Sequence, residues 1–292
     1  MGDKNTVAFV GLGVMGYPMA GHLASAGYIT RVYNRTSDKA QKWVEEYNGT
    51  AHDSPADAAT NADFVMTCVG NDDDLRDVVL GEKGVFSGMK EGGVLVDHTT
   101  TSAIVAREIG EVAKEKGFGF LDAPVSGGQA GAENGALTVM LGGDESTFIA
   151  AEKVINCYGK TVVRMGAVGA GQLTKMVNQI CIAGLVQGLS EGMNFAISAG
   201  IDPKKAAEVM SGGAAQSWQM DNRANTMVDG QFEFGFAVDW MRKDLGICLD
   251  EASRNGAPLP ITKIVDDFYG DVQAKGGKRY DTSSLIINLQ ND

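Results

Sequence analysis

The sequence is poor in the residue types that most often hold metal ions or relay protons. It has three histidines and four cysteines in 292 residues, and the cysteines lie far apart with no C-x-x-C pair. A disulfide framework, a structural zinc site and a histidine-based catalytic relay are therefore disfavoured. We expect no protein-bound metal.

Long hydrophobic runs are also missing. The longest, around residues 179–189, is interrupted by Gly184 and Gln187 and is shorter than the roughly 20 residues that a membrane span requires. The N-terminus leads straight into the apolar segment Val7–Val10, which leaves no room for a signal peptide, so we expect a cytoplasmic location. The net charge of −12 disfavours nucleic acid and anionic membranes as partners. Anionic ligands would need local binding sites.

The chain changes character near residues 164–169. Before this point, short β-branched runs alternate with helical stretches, a pattern typical of βαβ units around a parallel sheet. After it, helical segments dominate. We therefore expect an α/β protein, with a doubly wound and mostly parallel sheet in residues 1–165 and an all-α domain in residues 166–292. The predicted strands are Val7–Val10, Thr30–Asn34, Phe64–Val69, Val94–Asp97, Phe118–Leu121 and Thr138–Leu141.

One helical segment, Gln172–Ala199, is apolar nearly all round its predicted helix. Such a helix is normally buried rather than lying on a surface. Its 28 residues would span about 42 Å, enough to run between two domains or into a partner subunit. We interpret it as a long interdomain helix. We expect a homodimer or homotetramer.

A glycine-rich turn follows the first predicted strand and precedes a helical pattern. Gly11 permits a tight turn, Gly13 lets the backbone approach a pyrophosphate, and Gly16 lets the helix pack closely on the strand. The pyrophosphate would then lie on N–H groups at the helix N-terminus. This context favours a dinucleotide-binding Rossmann domain over an ordinary glycine turn. The residues expected to contact the cofactor here are Gly11, Leu12, Gly13, Val14, Met15 and Gly16.

The end of the second strand indicates which dinucleotide is bound. An NAD site usually has an Asp or Glu there to accept from the ribose 2′-hydroxyl, whereas this chain has Asn34, Arg35 and Thr36. A guanidinium pairs well with a 2′-phosphate, and a hydroxyl adds a hydrogen bond. NADP(H) is therefore the expected cofactor, although Arg35 could instead be a solvated surface charge, and Asp38 lies close by.

Four stretches in order along the chain resemble the β-hydroxyacid dehydrogenase family. They are FVGLGVMGYPMA at 9–20, DAPVSGG at 122–128, GAGQLTKMVN at 169–178 and KDL at 243–245. The family includes 3-hydroxyisobutyrate dehydrogenases, tartronate semialdehyde reductases and glyoxylate or succinic semialdehyde reductases. The resemblance covers almost the whole chain and is specific for the family, but not for the substrate.

This resemblance implies that Lys175 and Asn178 are the catalytic pair. The two residues are three apart on the predicted helix and so share one face. An ammonium in an apolar helix can stabilise a developing alkoxide and deliver its proton as hydride reaches the carbonyl carbon, and desolvation would lower its pKa towards the working range. Asn178 could hold either the lysine or the substrate hydroxyl. The alternative is a purely structural lysine.

The resemblance also assigns the substrate loop and further cofactor contacts. Ser126, Gly127 and Gly128 follow a strand and a proline, and in the family this stretch binds the acid group of the substrate; main-chain N–H groups in a concave turn suit a carboxylate. A plain turn is the alternative. Thr100 aligns with a family threonine near the nicotinamide ribose, but it could equally be an N-cap for the following helix. Val69, at the end of the third predicted strand, is a further expected cofactor contact.

The functional role of Lys243 is assigned mainly from the resemblance. In the family this lysine reaches the cofactor, whereas a solvated pair with Asp244 is the alternative. Trp218 and Phe236 could line the substrate pocket, although large aromatic residues in helical domains more often pack in the core.

These observations predict an NADP(H)-dependent oxidoreductase that interconverts a small carboxylate-bearing aldehyde, such as a semialdehyde or glyoxylate, and its hydroxyacid, with Lys175 as the general acid or base. One alternative is a β-hydroxyacid dehydrogenase, for example of 3-hydroxyisobutyrate, that works oxidatively with NAD. An imine reductase and a non-catalytic NADP-binding scaffold are further alternatives. Lys175 argues against both of these, because such relatives usually lack the lysine.

Overall fold

The computed structural model describes residues 5–290. They form two compact units, the first ending at Lys175 and the second beginning at Met176. The first unit contains a sheet with helices and the second is built from helices. The expected fold class, an N-terminal Rossmann-type domain followed by a helical C-terminal domain, is confirmed.

Within residues 5–290, nine strands form one sheet in the order β3-β2-β1-β4-β5-β6-β8-β7, with β9 paired to β8. The pairs from β3 through to β6 are parallel, whereas β8 runs antiparallel to β6 and β7. The sheet is therefore mostly parallel, as expected. The strands are β1 (Thr6–Val10), β2 (Ile29–Tyr33), β3 (Gly49–Ala51), β4 (Phe64–Thr67), β5 (Val94–Asp97), β6 (Gly119–Asp122), β7 (Val125–Ser126), β8 (Leu137–Gly143) and β9 (Gly159–Gly166).

Helices cover both faces of this sheet. Successive residues of β1 alternate between two hydrophobic cores, Val7 and Phe9 entering one and Ala8 and Val10 the other. Because both faces are buried, the central strands are continuously apolar. The helices of this unit are α1 (Gly16–Ser25), α2 (Ser37–Glu46), α3 (Pro55–Ala59), α4 (Asp72–Leu80), α5 (Val85–Gly88), α6 (Ala103–Glu115), α7 (Gly128–Glu133) and α8 (Glu145–Ile155).

The strand order reverses at β1, which pairs with β2 on one side and β4 on the other. In open parallel sheets, ligands bind outside the carboxyl ends of the strands at such a point. The loops after β1, β2, β4, β5 and β6 therefore meet at the edge where the sequence predicts the cofactor.

Sequence patterns missed three strands, β3, β7 and β9. The first two are three and two residues long, too short for a periodic signal. β9 is longer, but most of its residues are exposed and it carries the charged Lys160 and Arg164. Its sequence therefore lacks the apolar run that marks a buried strand.

The second unit has its own hydrophobic core, which includes Met193, Met241 and Tyr269. Its elements are α9 (Ala170–Ser198), which starts in the first unit, then α10 (Pro203–Met210), α11 (Trp218–Val228), α12 (Val238–Asn255), α13 (Pro260–Ala274) and a 3₁₀ helix (Thr282–Asn288). An isolated antiparallel bridge joins Ala237 and Asp281.

Helix α9 matches the predicted long helix to within two residues at each end. Within the single chain the helix is not buried all round, because Val177 is 61% exposed and Phe195 is 71% exposed. Burial of these side chains against a partner subunit stays a prediction. The apolar pattern shows that these side chains disfavour water, but it does not show what would cover them. By length and composition alone, α9 is also apolar enough to cross a membrane, with a mean hydropathy of 1.3 over an 18-residue window, a test that the core helices of soluble proteins also pass.

Candidate active site

The glycine-rich turn places three glycines in three different environments. Gly11 has a φ of +99°, and a Cβ added to it would lie 2.2 Å from the carbonyl oxygen of Cys68. A Cβ on Gly16 would lie 2.0 Å from the carbonyl oxygen of Gly11. At Gly13, apart from residues 12–14 themselves, no atom of residues 5–290 lies within 4 Å of that position. The turn is thus closed to side chains at its two ends and open at its centre.

Helix α1 begins beside this opening. Met15 is its N-cap residue, and among the described residues no side chain caps the helix by a hydrogen bond. The first N–H groups of a helix bind anions because they lack intrahelical partners and lie at the positive end of the helix dipole. The exposed Val14 and half-buried Met15 border this N-terminus. An open glycine next to an uncapped helix fits the pyrophosphate of a dinucleotide.

Asn34 joins two turns of the site. Its Oδ1 accepts the Leu12 N–H at 2.9 Å, and its Nδ2 donates to the Thr36 carbonyl oxygen at 2.9 Å. Leu12 itself is buried, and its N–H is used by Asn34. These two residues, both expected to contact the cofactor, shape the turns through contacts within the protein.

Arg35 lies at the surface after β2. Its side chain is 86% exposed, and its Nη1 is 3.2 Å from Oδ1 of Asp74 at the start of α4. Thr36 is the N-cap residue of α2, but its side chain makes no capping hydrogen bond with the described residues. An exposed guanidinium beside an exposed threonine is thus available to a phosphate, in competition with Asp74.

The loops after β4 and β5 are tied together through Thr99. Its Oγ1 accepts the Val69 N–H at 3.0 Å and donates to Oδ1 of Asp97 at 2.7 Å. Thr100 follows and is half-buried. The N-cap of α6 is Ser102, whose Oγ accepts the Val105 N–H. The alternative role of Thr100 as that N-cap is therefore wrong.

Two buried carboxyl groups lie at the ends of β5 and β6. Burial raises the pKa of Asp97 to about 7, against which hydrogen bonds from Thr99 and Thr67 act. Burial likewise raises the pKa of Asp122 to about 6, opposed by backbone N–H groups that include those of Gly169 and Gln172. His98 is buried between the Ala123 carbonyl and the Tyr158 hydroxyl, and desolvation lowers its pKa to about 4.

The expected substrate loop is a junction between a strand and a helix rather than a plain turn. Ser126 ends β7 and pairs with Thr138 of β8, Gly127 is the N-cap residue of α7, and Gly128 is its first residue. Gly127 and Gly128 are exposed, and Ser126 is half-buried. All three lie on the chain that leaves β6 through Pro124.

Lys175 lies in the second turn of α9 and is 8% exposed. In the second unit, hydrogen bonds connect the other residues expected to take part. Asn178 Nδ2 donates to Gln179 Oε1 at 2.8 Å, Gln179 Nε2 donates to Asp244 Oδ2 at 2.6 Å, and Lys243 Nζ is 3.1 Å from Asp244 Oδ1.

Because Asp244 is buried, its pair with Lys243 is not the solvated pair considered from the sequence. The Lys243 ammonium also lies 5.9 Å from the centre of the Trp240 ring. Trp218 is half exposed, and the Arg223 guanidinium lies over its ring at 4.9 Å. Phe236 is 38% exposed, so neither aromatic residue is a core side chain.

Sequence reasoning missed Asp97, Asp122 and Gln172 as parts of this region. Gln172 is fully buried, and its amide bonds the loop that contains Thr100. Their sequence signal was weak: an aspartate at each strand end and one polar residue in an apolar helix. Within residues 5–290, no group of three or more His, Cys, Asp or Glu side chains could hold a metal ion.

Comparison with known proteins covers nearly the whole chain. Residues 6–166 match the family model described as the NAD binding domain of 6-phosphogluconate dehydrogenase, and residues 169–289 match the one described as NAD-binding of NADP-dependent 3-hydroxyisobutyrate dehydrogenase. These domains show that the chain uses a nicotinamide cofactor.

Individual relatives agree. An uncharacterized oxidoreductase of Shewanella frigidimarina is 63% identical over 97% of this chain and 98% of its own length. The mitochondrial 3-hydroxyisobutyrate dehydrogenase of Rattus norvegicus is 34% identical over 100% of this chain and 89% of its own. The structure of the Mycobacterium tuberculosis 3-hydroxyisobutyrate dehydrogenase with L-serine superposes with a TM-score of 0.89 at 29% identity, covering 99% of this chain and 100% of that one. The chain is therefore an NAD(P)-dependent enzyme that belongs to the β-hydroxyacid dehydrogenase family.

Proposed function

We propose that the enzyme reduces a small carboxylate-bearing aldehyde, such as a semialdehyde or glyoxylate, to its hydroxyacid with NADPH. The observation that carries this proposal is the buried Lys175, an ammonium group placed in an apolar helix. Burying an ammonium is costly unless it is paired or used, and the position of Lys175 in the stretch GAGQLTKMVN, which resembles the family, supports a functional role. The same residues serve the reverse reaction.

When bound, the nicotinamide would supply the hydride that adds to the carbonyl carbon in the reductive direction. As the C=O π bond breaks, the Lys175 ammonium donates its proton to the carbonyl oxygen, and the neutral amine is reprotonated from solvent. Asn178, whose Nδ2 is oriented by Gln179, holds the lysine or the substrate hydroxyl. Ser126, Gly127 and Gly128 would bind the substrate carboxylate, and Lys243 and Thr100 would help to hold the cofactor.

Replacing Lys175 tests this assignment. Lys175→Ala should lower kcat by about 10²- to 10⁴-fold, because a positioned proton donor contributes that much. NADPH should still raise the melting temperature of the variant, which separates a lost acid from a lost fold. Lys160→Ala, which removes an exposed lysine on β9, is the matched control. Activity of Lys175→Ala near that of the control would remove Lys175 from the mechanism.

The preference for NADP(H) is supported by the exposed guanidinium of Arg35 and by the lack of a carboxylate among residues 34–36. Arg35→Asp should lower the ratio of kcat/KM with NADPH to kcat/KM with NADH. Lys39→Asp makes the same change of charge four residues away, on α2. If the two variants shift the ratio equally, Arg35 acts only through its charge and the pairing with a 2′-phosphate is wrong.

The second candidate is oxidation of 3-hydroxyisobutyrate or another β-hydroxyacid with NAD. The names of the relatives favour it, since the Rattus norvegicus enzyme is a 3-hydroxyisobutyrate dehydrogenase. In the reductive direction, initial rates would be measured with NADPH and glyoxylate or the semialdehydes of succinate, tartronate and methylmalonate. They would be compared with the rates at which 3-hydroxyisobutyrate and serine reduce NAD and NADP. Higher kcat/KM with 3-hydroxyisobutyrate and NAD would overturn the first proposal in favour of the second.

We also propose that the enzyme works as a homodimer or homotetramer in the cytoplasm. The exposed apolar side chains of Val177 and Phe195 on α9, and of Ile261 and Ile264 on α13, support self-association. Size-exclusion chromatography with light scattering measures the mass. Phe195→Lys should shift it towards the monomer, and a wild-type monomer at all concentrations would contradict the proposal.

A further inference from the structure

We propose that Gln172 is a positioning residue that fixes Lys175 relative to the loop around Thr100. Its Nε2 donates to the Thr99 carbonyl oxygen at 2.7 Å, and its Oε1 accepts the Thr101 N–H at 3.0 Å. One amide thus holds the backbone on both sides of Thr100. The side chain is completely buried, so water does not compete for these bonds.

The backbone of Gln172 is anchored as well. Its N–H donates to Asp122 Oδ2 at 2.9 Å, while the Gly169 N–H donates to Oδ1 of the same carboxylate at 2.7 Å. A Cβ on Gly171 would lie 2.5 Å from the carbonyl oxygens of both Asp122 and Met140, so this close approach requires glycine. The first turn of α9 therefore has one fixed position against the end of β6 and the middle of β8.

Helix geometry carries this constraint to the proton donor. Lys175 follows Gln172 by three residues, so the two side chains project from the same face of α9. The loop that Gln172 holds is the one expected to contact the nicotinamide ribose. A displacement of about 1 Å between reacting groups can cost about 100-fold in rate, so a fixed distance between loop and lysine has a direct effect on turnover.

This inference rests on the proposed function, because it gives Gln172 its effect through Lys175. It also makes a claim about the protein without any ligand. The Thr101 N–H is held by the Gln172 amide, so its hydrogen exchange in the cofactor-free enzyme should depend on that side chain.

The first test is Gln172→Met in the full chain, which keeps the length of the side chain and removes both hydrogen bonds. We expect kcat to fall about 10- to 100-fold, with KM for NADPH within about threefold of wild type. Exchange of the segment 98–106 should become faster. The matched control is Ser54→Ala, which loses a buried helix cap at the start of α3, away from the proposed catalytic residues. If Gln172→Met has the kcat of this control, Gln172 is only a structural residue and the proposal fails.

Gln172→Glu supplies a second test that does not depend on the first variant folding. Its carboxylate can accept the Thr101 N–H but cannot donate to the Thr99 carbonyl, whereas the protonated acid can do both. The kcat of this variant, as a fraction of wild type at each pH, should therefore rise as the pH falls. A fraction that does not change with pH would overturn the proposal.

Failure of this inference is distinguishable from failure of the proposed function. If Lys175→Ala keeps its activity, the assigned acid is wrong whatever Gln172 does. If Lys175→Ala is inactive while both Gln172 variants turn over like wild type, only the positioning role is wrong.

Discussion

The two glycines Gly13 and Gly16 lie three residues apart in one turn, and the structure predicts opposite effects for the same substitution. A methyl group added to Gly13 meets no atom of the described residues within 4 Å, apart from those of residues 12–14. A methyl group added to Gly16 would lie 2.0 Å from the Gly11 carbonyl oxygen and 2.9 Å from the Phe9 ring. The first change should affect the ligand and the second the fold.

The magnitudes follow from these distances. Gly16→Ala forces the backbone of Gly11 to move, and overpacking of this kind costs about 1–3 kcal/mol, or about 3–10 °C in melting temperature for a unit of this size. Gly13 does not have a positive φ, so Gly13→Ala should change the free energy of unfolding by between zero and about +1 kcal/mol, through the lower entropy of the unfolded chain.

Thermal unfolding with and without NADPH measures both effects. A ligand at 100 times its Kd stabilises a protein by about 2.7 kcal/mol, so the wild-type melting temperature should rise clearly with NADPH. Gly13→Ala should match or exceed wild type without NADPH and lose most of the rise with it, because its methyl group occupies the space expected for the pyrophosphate. A lower melting temperature for cofactor-free Gly13→Ala, or a full rise with NADPH, would refute this reasoning.

Three further predictions concern charged groups. Because burial raises the pKa of Asp97 from 3.8 to about 7, the folded state binds more protons than the unfolded state between these values, and the stability due to this group is lost as the pH rises through them. Relative to wild type, the free energy of unfolding of Asp97→Asn should therefore increase by about 1–4 kcal/mol between pH 4 and pH 8, as measured by urea unfolding. A difference between variant and wild type that does not change with pH would contradict the assignment. Asp74→Asn removes the competitor of a phosphate for Arg35 and should lower KM for NADPH about two- to fivefold without changing KM for NADH; equal changes for both cofactors would argue against it. Asp281→Ala removes a buried carboxylate that accepts from Arg223, from the Phe236 and Ser283 N–H groups and from the Ser283 hydroxyl, so it should destabilise the helical unit by about 2–5 kcal/mol in urea unfolding; a loss below about 1 kcal/mol would show that water replaces these bonds.

Local patterns made the fold class and the glycine-rich turn predictable. Each of Gly11, Gly13 and Gly16 lies within a few residues of the strand and helix that define its role, so spacing alone carries the information. The strand β9 was not predicted because its mostly exposed residues do not form an apolar run. The exposure of Phe195 on α9 was not predicted because burial depends on which residues pack against a side chain, and the periodicity of apolar residues does not identify them.

The missed polar residues have a different cause. The side chain of Asp122 bonds Gly169, 47 residues later in the chain, and that of Gln172 bonds Thr99, 73 residues earlier. No local pattern records such pairs. Asp122 holds the start of α9 only because the fold brings the end of β6 next to that helix, and the local sequence around Asp122 does not indicate this.

The first three turns of helix α9 carry three buried polar side chains, at positions 172, 175 and 179, separated by three and four residues and therefore on one face. A buried amide without partners would destabilise the fold, and leucine at positions 172 and 179 would pack without that cost. Both glutamines are fully used: Gln172 by the loop backbone on either side of Thr100, and Gln179 by Asn178 and Asp244. The polar side chains on this face are therefore held by specific hydrogen bonds. Lys175 lies between Gln172 and Gln179, whose hydrogen bonds fix the helix before and after it.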